Sequence, residues 1–315
     1  MPDILVVGSL NADLVVRTPR FPQPGETISG EDLQVIPGGK GANQAVAAAR
    51  LGAKVSMLGR VGKDNFGDIL LDNLKSNHVD SQLVQRDDAS TGTAIIVVDS
   101  NGQNSIVLSA GANAKVSSAD VKDASFLHHK LILLQLEIPI PTVTSAAHRA
   151  HENRLRVILN PAPARQAQLS DELISLSDFI IPNETELSLL TGMEVKDIRS
   201  AEQAARTLLA RGAKNVIVTL GGKGALVVSG KQVTHVDTYN VDVVDTTAAG
   251  DAFIGGFATA LLQEKNLEEA VKYGCACGAL ATTKFGAQPS LPTIEEVERF
   301  ISLPHREAHP PRNDI

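Results

Sequence analysis

The sequence predicts an α/β fold: a Rossmann-like, three-layer α/β/α body with a central, mostly parallel sheet and a small projecting β-sheet lid. Short apolar strands alternate with helical segments along most of the 315 residues, the pattern of strand–helix–strand units with right-handed crossovers. Aromatic residues make up only 3% of the chain, so Ala, Val, Leu and Ile must build the core, which suits parallel strands covered by helices. Two extended, polar-alternating stretches interrupt the alternation and predict the lid.

The body begins with the apolar strand Ile4–Val7, which ends at Gly8. An alanine-rich stretch, Gly41–Leu51, has the composition of a buried helix and leads to a strand at Lys54–Leu58. From Lys130 onward the alternation becomes regular, as expected for a Rossmann-like sheet. The further strands are predicted at Leu131–Leu136, Leu155–Leu159, Phe179–Ile181, Val216–Leu220, Ala225–Val228 and Val233–Val236, and the further helices at Ala201–Arg211, Ala249–Leu262 and Leu267–Thr283.

The lid is predicted from about residues 11–37 and 91–110. Prolines and a glycine punctuate the first stretch, and in the second β-branched residues flank Asn101-Gly102, a hairpin turn signal. These pieces are too few for a separate domain, so we expect one domain over residues 1–304, with the lid serving as a cover or as an oligomer surface. The polar, proline-rich residues 305–315 are predicted to be a frayed tail.

Charge and cysteine content exclude several function classes. The net charge of −7 argues against broad binding to nucleic acid, which requires a positive face. The apolar stretch at the start of the chain is too short for a signal segment or a membrane span, so we expect no membrane association and a cytoplasmic protein. Cys275 and Cys277 lie two apart in a predicted helix, a spacing that disfavours a disulfide or a shared metal and favours buried packing.

The segment Asp245–Asp251, DTTAAGD, carries the strongest chemical signal. Small residues directly before a helix leave its first N–H groups approachable, and those donors together with the helix dipole suit an anion such as phosphate. Asp251, an acid at the rim of this hole, is placed to take a proton from a hydroxyl that attacks the phosphate. The alternative from the segment alone is that Asp251 only complements the helix dipole.

A second cluster, Pro37–Gln44, reads PGGKGANQ before the alanine-rich helix. Its glycines would let a ligand approach the backbone closely, and Asn43 can both donate to and accept from sugar hydroxyls. The spacing is not that of a Walker A loop, and no GxGxxG occurs in the chain. A tight turn before a helix remains the alternative.

Further polar residues follow predicted strands at one edge of the sheet, where open α/β sheets bind ligands. Asn11 and Asp13 alternate after the first strand and would point to one side, although an Asx turn or a hinge would read the same. Glu137 ends another strand. Asn183–Glu186 and Thr219–Gly224 follow two more, with a helix cap and a hairpin turn as their alternative interpretations.

These motifs resemble the ribokinase family of carbohydrate and nucleoside kinases. The resemblance runs from Ile4 to about Ile301 and is carried by PGGKGANQA at 37–45, DTTAAGDAF at 245–253 and GAQPS at 286–290. It implies transfer of the ATP γ-phosphoryl group to the 5-hydroxyl of D-ribose, with Mg²⁺ accompanying ATP, a monovalent cation activator, usually K⁺, and a homodimer formed through the lid.

The resemblance also implies roles for individual residues. Asp251 would be the catalytic base beside an anion hole formed by Ala248, Ala249 and Gly250. The sugar would be held by Asn11, Asp13, Gly39, Lys40, Gly41, Ala42, Asn43, Glu137 and Asp251. The nucleotide and its Mg²⁺ would be held by Asn183, Glu186, Thr219, Leu220, Gly221, Gly222, Lys223, Gly224, Gly250, Asp251 and Cys275. The cation would be held by Asp245, Thr247, Ala281, Lys284, Gly286 and Ser290.

Two alternatives to this function stay open on the sequence. One is another pentose, 2-deoxyribose in particular, because a single hydroxyl separates the two sugars. The other is a sugar-binding regulator without catalysis, against which the intact Gly250 and Asp251 count. Ala248 stands where the family commonly has glycine, and because alanine would be strained at positive φ, we expect ordinary helical geometry there.

Overall fold

The computed structural model describes residues 3–123, 126, 128–164 and 169–303. The chain divides into two compact units, Met1–Val46 with Lys54–Val157 and Ala47–Ala53 with Ile158–Ile315. The predicted α/β class is confirmed: a large, mostly parallel sheet is flanked by helices, and a small separate sheet accompanies it. The predicted tail 305–315 lies outside the described residues.

The elements up to the fourth helix belong mainly to the first unit. They are β1 at Ile4–Val7, β2 at Asn11–Arg17, β3 at Gln34–Gly38, α1 at Lys40–Arg50, β4 at Val55–Gly62, α2 at Asn65–Ser76, β5 at Asp80–Asp87, β6 at Gly92–Val98, β7 at Asn104–Ser109, α3 at Ser118–Asp123, β8 at Leu131–Leu134 and α4 at Ile140–Glu152. A 3₁₀ turn at Gly111–Lys115 follows β7.

Strand β1 is the centre of the parallel sheet in the first unit. It pairs in parallel with β4 on one side and β8 on the other, and β4 pairs in parallel with β5. All four β1 residues are fully buried, as continuous apolar strands covered on both faces should be. The carboxyl ends of β1 and β8 therefore lie side by side, and the polar residues after each strand emerge at one edge.

The small sheet has the order β3-β2-β6-β7. Strand β2 runs antiparallel to β3 and parallel to β6, and β6 and β7 form an antiparallel hairpin. The turn of this hairpin contains Asn101 and Gly102, whose φ of 77° only glycine adopts readily, so the predicted hairpin is confirmed. All four strands fall within or next to the stretches predicted to form the lid.

The remaining elements run from β9 to α11. They are β9 at Arg156–Leu159, α5 at Asp171–Leu176, β10 at Phe179–Ile180, α6 at Glu184–Thr191, α7 at Ile198–Ala210, β11 at Asn215–Thr219, β12 at Ala225–Ser229, β13 at Gln232–Val236, α8 at Ala249–Leu262, α9 at Leu267–Ala281, α10 at Ala287–Ser290 and α11 at Ile294–Ser302.

In the second unit, β9, β10 and β11 are parallel, while β12 and β13 continue the sheet in antiparallel fashion. Helices α8 and α9 pack closely because small residues line their contact: a Cβ on Gly256 would lie 2.6 Å from Cys277 Sγ. Both cysteines are buried and free, which confirms their predicted packing role. No helix in the described part of the chain is long and apolar enough to cross a membrane.

Candidate active site

In the first unit, the start of β2 holds Asn11 and Asp13 two residues apart, hence on one face of the small sheet. Asn11 pairs with Gly38 of β3, and the Asp13 carboxylate lies directly over Gly38, where an added Cβ would be 2.2 Å from Asp13 Oδ2. Any larger residue at Gly38 would displace this carboxylate. The first glycine of the PGGKGAN motif thus makes room for an acidic side chain.

The next glycines of this motif bring its loop against the connection between β1 and β2. Gly39 has a φ of 88°, and a Cβ on it would lie 2.7 Å from Asn11 N. A Cβ on Gly41 would lie 2.6 Å from Ser9 N. The close approach that these glycines allow is therefore to the chain's own backbone, so the tight-turn interpretation describes their conformation.

Glu137 joins the same cluster from the loop after β8. Its Oε2 accepts hydrogen bonds from Ser9 Oγ at 2.5 Å and from the backbone N–H of Lys40 at 3.0 Å. Ser9 Oγ in turn accepts from the N–H of Gly41 at 3.3 Å. Ser9 is fully buried and was missed by the sequence analysis. It fixes one carboxylate oxygen of Glu137 and leaves Oε1 for a further donor.

The first N–H groups of α1 are engaged by the protein itself. Ala42 N–H donates to Ser9 O and Asn43 N–H to Gly39 O, in addition to the two bonds of Lys40 and Gly41 already described. The backbone of this motif thus shapes the site. Asn43 is buried in the first turn of α1.

In the second unit, the DTTAAGD segment leads into α8. Ala248, directly before the helix, has φ 59° and ψ 9°, which is the left-handed conformation. The expectation of ordinary helical geometry at Ala248 was wrong. A left-handed residue followed by a helical one turns successive N–H groups outward, the arrangement that forms anion-binding concavities. The backbone geometry therefore requires positive φ here whether or not the residue is glycine.

Two N–H groups at this helix start have no acceptor among the described residues: those of Ala248 and Gly250. Gly250 is exposed, and a Cβ on it would meet nothing within 4 Å. Asp251, in the same turn, is only 5% exposed. A buried carboxylate thus lies next to an open pair of backbone donors at the positive end of a 14-residue helix.

Asp245 connects the loop before α8 with the loop before α10. Its Oδ1 accepts from the N–H and the hydroxyl of Thr247, at 2.9 and 2.6 Å, and its Oδ2 accepts from Gly286 N at 2.9 Å. Of the other residues predicted for the cation, Ala281 and Ser290 are buried and lie on α9 and α10. The Lys284 ammonium pairs with Glu296. The structure thus brings Asp245, Thr247 and Gly286 together.

Asn183 and Glu186 form a capping box at the start of α6. Asn183 Oδ1 accepts from Glu186 N at 2.8 Å, and Glu186 Oε2 accepts from Asn183 N at 2.9 Å. The helix-cap interpretation of Asn183 is therefore confirmed. Asn183 also forms a parallel bridge with Thr219, so these three residues cluster at the carboxyl ends of β10 and β11.

Residues Leu220–Gly224 form the turn of the β11–β12 hairpin, which confirms the hairpin interpretation. A 3₁₀ turn at Gly221–Lys223 places two glycines at an exposed surface with open space around them. Cys275 lies on α9 and is only 4% exposed. Burial raises the pKa of its thiol to about 12, so it stays protonated and unreactive near neutral pH.

Comparisons with known proteins identify the family of this chain. Residues 1–294 match the family described as pfkB family carbohydrate kinase. A ribokinase of Haemophilus influenzae is 45% identical over 301 residues, covering 95% of this chain and 98% of the relative. A deoxyribokinase of Salmonella typhi is 42% identical over 304 residues, covering 96% and 99%. The structure of Arabidopsis thaliana ribokinase complexed with ribose and ATP superposes with a TM-score of 0.89 at 34% identity, covering 96% and 99%.

Proposed function

The chain belongs to the pfkB family of carbohydrate kinases, and from this we propose that it transfers the γ-phosphoryl group of ATP to the 5-hydroxyl of D-ribose, giving ribose 5-phosphate and ADP. The observation that carries the proposal is the helix start of α8, where Asp251 lies beside the unengaged N–H groups of Ala248 and Gly250. The relatives named above support the choice of ATP and of a pentose.

Sugar binding is assigned to the first-unit cluster. Asp13 and Glu137 supply carboxylate oxygens that accept from sugar hydroxyls, and the side chains of Asn11, Lys40 and Asn43 supply donors. Ser9 and the N–H of Lys40 already hold one oxygen of Glu137, so this carboxylate is oriented before a ligand arrives. Such preorganisation lowers the entropic cost of binding.

Phosphoryl transfer is assigned to the second-unit cluster. Asp251 takes the proton from the attacking hydroxyl as the bond to phosphorus forms, while the N–H groups of Ala248 and Gly250, with Ala249 between them, donate to the oxygens of the transferring group. Because these donors are fixed by the left-handed turn, they need no reorganisation during the reaction.

The nucleotide is assigned to the ends of β10 and β11. A nucleotide could approach the backbone at Thr219 and at the exposed glycine turn Gly221–Lys223. Cys275, buried on α9, is assigned to the same site. Asn183 and Glu186 would hold Mg²⁺ through water, which suits an ion that dehydrates reluctantly. Mg²⁺ supplies neutralisation of charge on the β- and γ-phosphates.

A monovalent cation, K⁺, is assigned to the loops joined by Asp245. The ligands proposed there are all oxygen atoms, the Asp245 carboxylate and backbone carbonyls among the other residues assigned to the cation, and such a set fits a hard cation. The Asp245 hydrogen bonds to Thr247 and Gly286 hold these loops together. The chemistry a bound cation supplies is fixed positive charge close to the anion-binding turn.

A homodimer through the small sheet is also proposed. Val35, Leu14, Ile95 and Val107 are paired in register across all four strands and so form one row on one face. Three of them are exposed, Val35 by 38%, Ile95 by 49% and Val107 by 64%. Apolar rows of this kind mark interaction surfaces, and light scattering should give twice the 33.2 kDa chain mass.

The test is a coupled ADP-release assay with ribose, 2-deoxyribose, fructose and adenosine, each with and without K⁺. Ribose should give the highest kcat/KM, with K⁺ raising the rate. A higher kcat/KM for 2-deoxyribose would favour the second candidate function, phosphorylation of 2-deoxyribose, which the deoxyribokinase of Salmonella typhi supports. Failure of every sugar to release ADP would refute the kinase proposal.

A further inference from the structure

A buried asparagine outside the predicted sites controls the side chain of Asn11. Asn113, in the 3₁₀ turn after β7, is 2% exposed and lies more than a hundred positions along the chain from its partners. Its Oδ1 accepts from the N–H of Leu10 at 2.9 Å, and its Nδ2 donates to the carbonyl of Leu10 at 3.0 Å. The side chain thus pairs with the backbone like a strand residue.

This pairing fixes the orientation of the Asn113 side-chain amide, with Oδ1 toward an N–H group and Nδ2 toward a carbonyl. A backbone N–H can only donate and a carbonyl can only accept, so Oδ1 and Nδ2 of Asn113 cannot exchange places. Its nitrogen carries a second hydrogen, which is donated to Asn11 Oδ1 at 2.8 Å. The partner atom on Asn11 must therefore be its oxygen.

Asn11 is consequently oriented as well. Its Oδ1 is engaged, and its Nδ2 has no hydrogen-bond partner among the residues that the structure describes. Gly92, paired with Asn11 in the sheet, leaves the necessary space: a Cβ there would lie 2.1 Å from Asn113 Nδ2 and 2.4 Å from Asn11 Oδ1. The Leu10 backbone thus orients the side-chain amide of Asn113, and Asn113 in turn orients the side-chain amide of Asn11.

We propose that Asn113 is a positioning residue that makes Asn11 a hydrogen-bond donor, through Nδ2, to a secondary hydroxyl of the sugar. The inference rests on the proposed function, which assigns Asn11 to the sugar site. Without Asn113, the Asn11 amide could turn and present its oxygen instead. A hydroxyl can bond to either end, whereas a substituent that only accepts can bond only to the nitrogen.

Fluorinated sugars test directly whether Asn11 presents a donor. A fluorine substituent accepts a hydrogen bond weakly and never donates one, and a hydrogen substituent does neither. The assay therefore compares 2- and 3-deoxyfluoro-D-ribose with the matching deoxy sugars. In the wild type, fluorine at the contacted position should raise kcat/KM over hydrogen by about threefold, the weak end of the range for one hydrogen bond. A variant that only loses packing would lower kcat/KM for the fluoro sugar and for the deoxy sugar alike, and the ratio of the two would stay unchanged.

The main variant is Asn113→Asp, assayed at about pH 8 to favour the ionised carboxylate over the protonated acid. It still accepts from Leu10 N–H but cannot donate, so Asn11 should turn its nitrogen toward the new carboxylate. The fluorine advantage, the ratio of kcat/KM for the fluoro sugar to that for the matching deoxy sugar, should then fall to one or below. If this variant does not fold, Asn113→Ser, which can make only one of the two donations, should reduce the same ratio.

Two further variants complete the test. Asn11→Asp keeps an acceptor for Asn113 and removes only the donor, so it should also abolish the fluorine advantage. Asn266→Asp makes the same change at an exposed helix cap that uses only its oxygen, and it should keep the wild-type ratio. A ratio above one that persists in Asn113→Asp, or a wild-type ratio of one at both positions, overturns the inference. Absence of ribose phosphorylation by the wild type would instead refute the proposed function.

Discussion

Replacing Ala248 by glycine should stabilise the protein, although glycine usually weakens a helix region. Ala248 has φ 59° and ψ 9°, and its side chain makes no capping hydrogen bond. The left-handed conformation costs an L-residue about 1–2 kcal/mol, and glycine avoids this cost. Glycine also gives the unfolded chain more conformational freedom, which offsets about 0.4–1 kcal/mol of this gain. The net gain is about 0.5–1 kcal/mol, or roughly 1 °C in Tm for a chain of this size.

The control is the neighbouring substitution Ala249→Gly, the same chemical change at the first helical residue. There glycine relieves no strain and should cost up to about 1 kcal/mol. Both variants are measured by thermal and urea unfolding. The two neighbouring alanines should therefore respond with opposite signs. Equal destabilisation by both changes would refute the left-handed assignment.

Three other variants test separate parts of the structure. Glu137→Gln should raise KM for ribose about tenfold in initial-rate assays and change kcat less, because a charge-assisted acceptor for sugar hydroxyls is lost. Asn183→Ala should lower the free energy of unfolding by about 1 kcal/mol through loss of the helix cap. Asp120→Asn should lower it by about 3 kcal/mol at neutral pH, because the buried partner of Arg60 is lost. Burial acts to raise the pKa of Asp120, but the hydrogen bonds and charge of Arg60 together with hydrogen bonds from Ser117 outweigh it and hold the pKa below its usual range. This stabilisation is complete above about pH 4 and is lost as the pH falls through the folded-state pKa, so the difference between wild type and variant should shrink in acid.

The fold was largely predictable because local pattern and burial agree. The apolar runs at Ile4–Val7 and Leu131–Leu134 are fully buried parallel strands, and the alanine-rich segment is helix α1. Predicted and observed strand ends differ where the strand leads into the site. The strand predicted at Leu131–Leu136 ends at Leu134 in the structure, before the loop that carries Glu137. Helix α2 and strand β5 were not predicted; in β5 only Leu83 and Val84 are apolar among polar and charged residues.

The site was less predictable because its supports are long-range. Ser9 meets Glu137 across 128 positions and Asn113 meets Asn11 across 102, separations that no local motif reveals. The conformation of Ala248 was predicted wrongly for a different reason. Side-chain preference argued for negative φ, while the turn that opens the N–H groups of α8 requires positive φ.

The most direct test of the account is Asp251→Asn, compared with the wild type for both turnover and binding of ribose and ATP. The asparagine keeps the size of the side chain and cannot accept the hydroxyl proton. The account predicts that kcat falls by about a hundredfold or more, the usual contribution of a general base, while the two dissociation constants change severalfold at most. Near-wild-type kcat in a folded Asp251→Asn protein would contradict it.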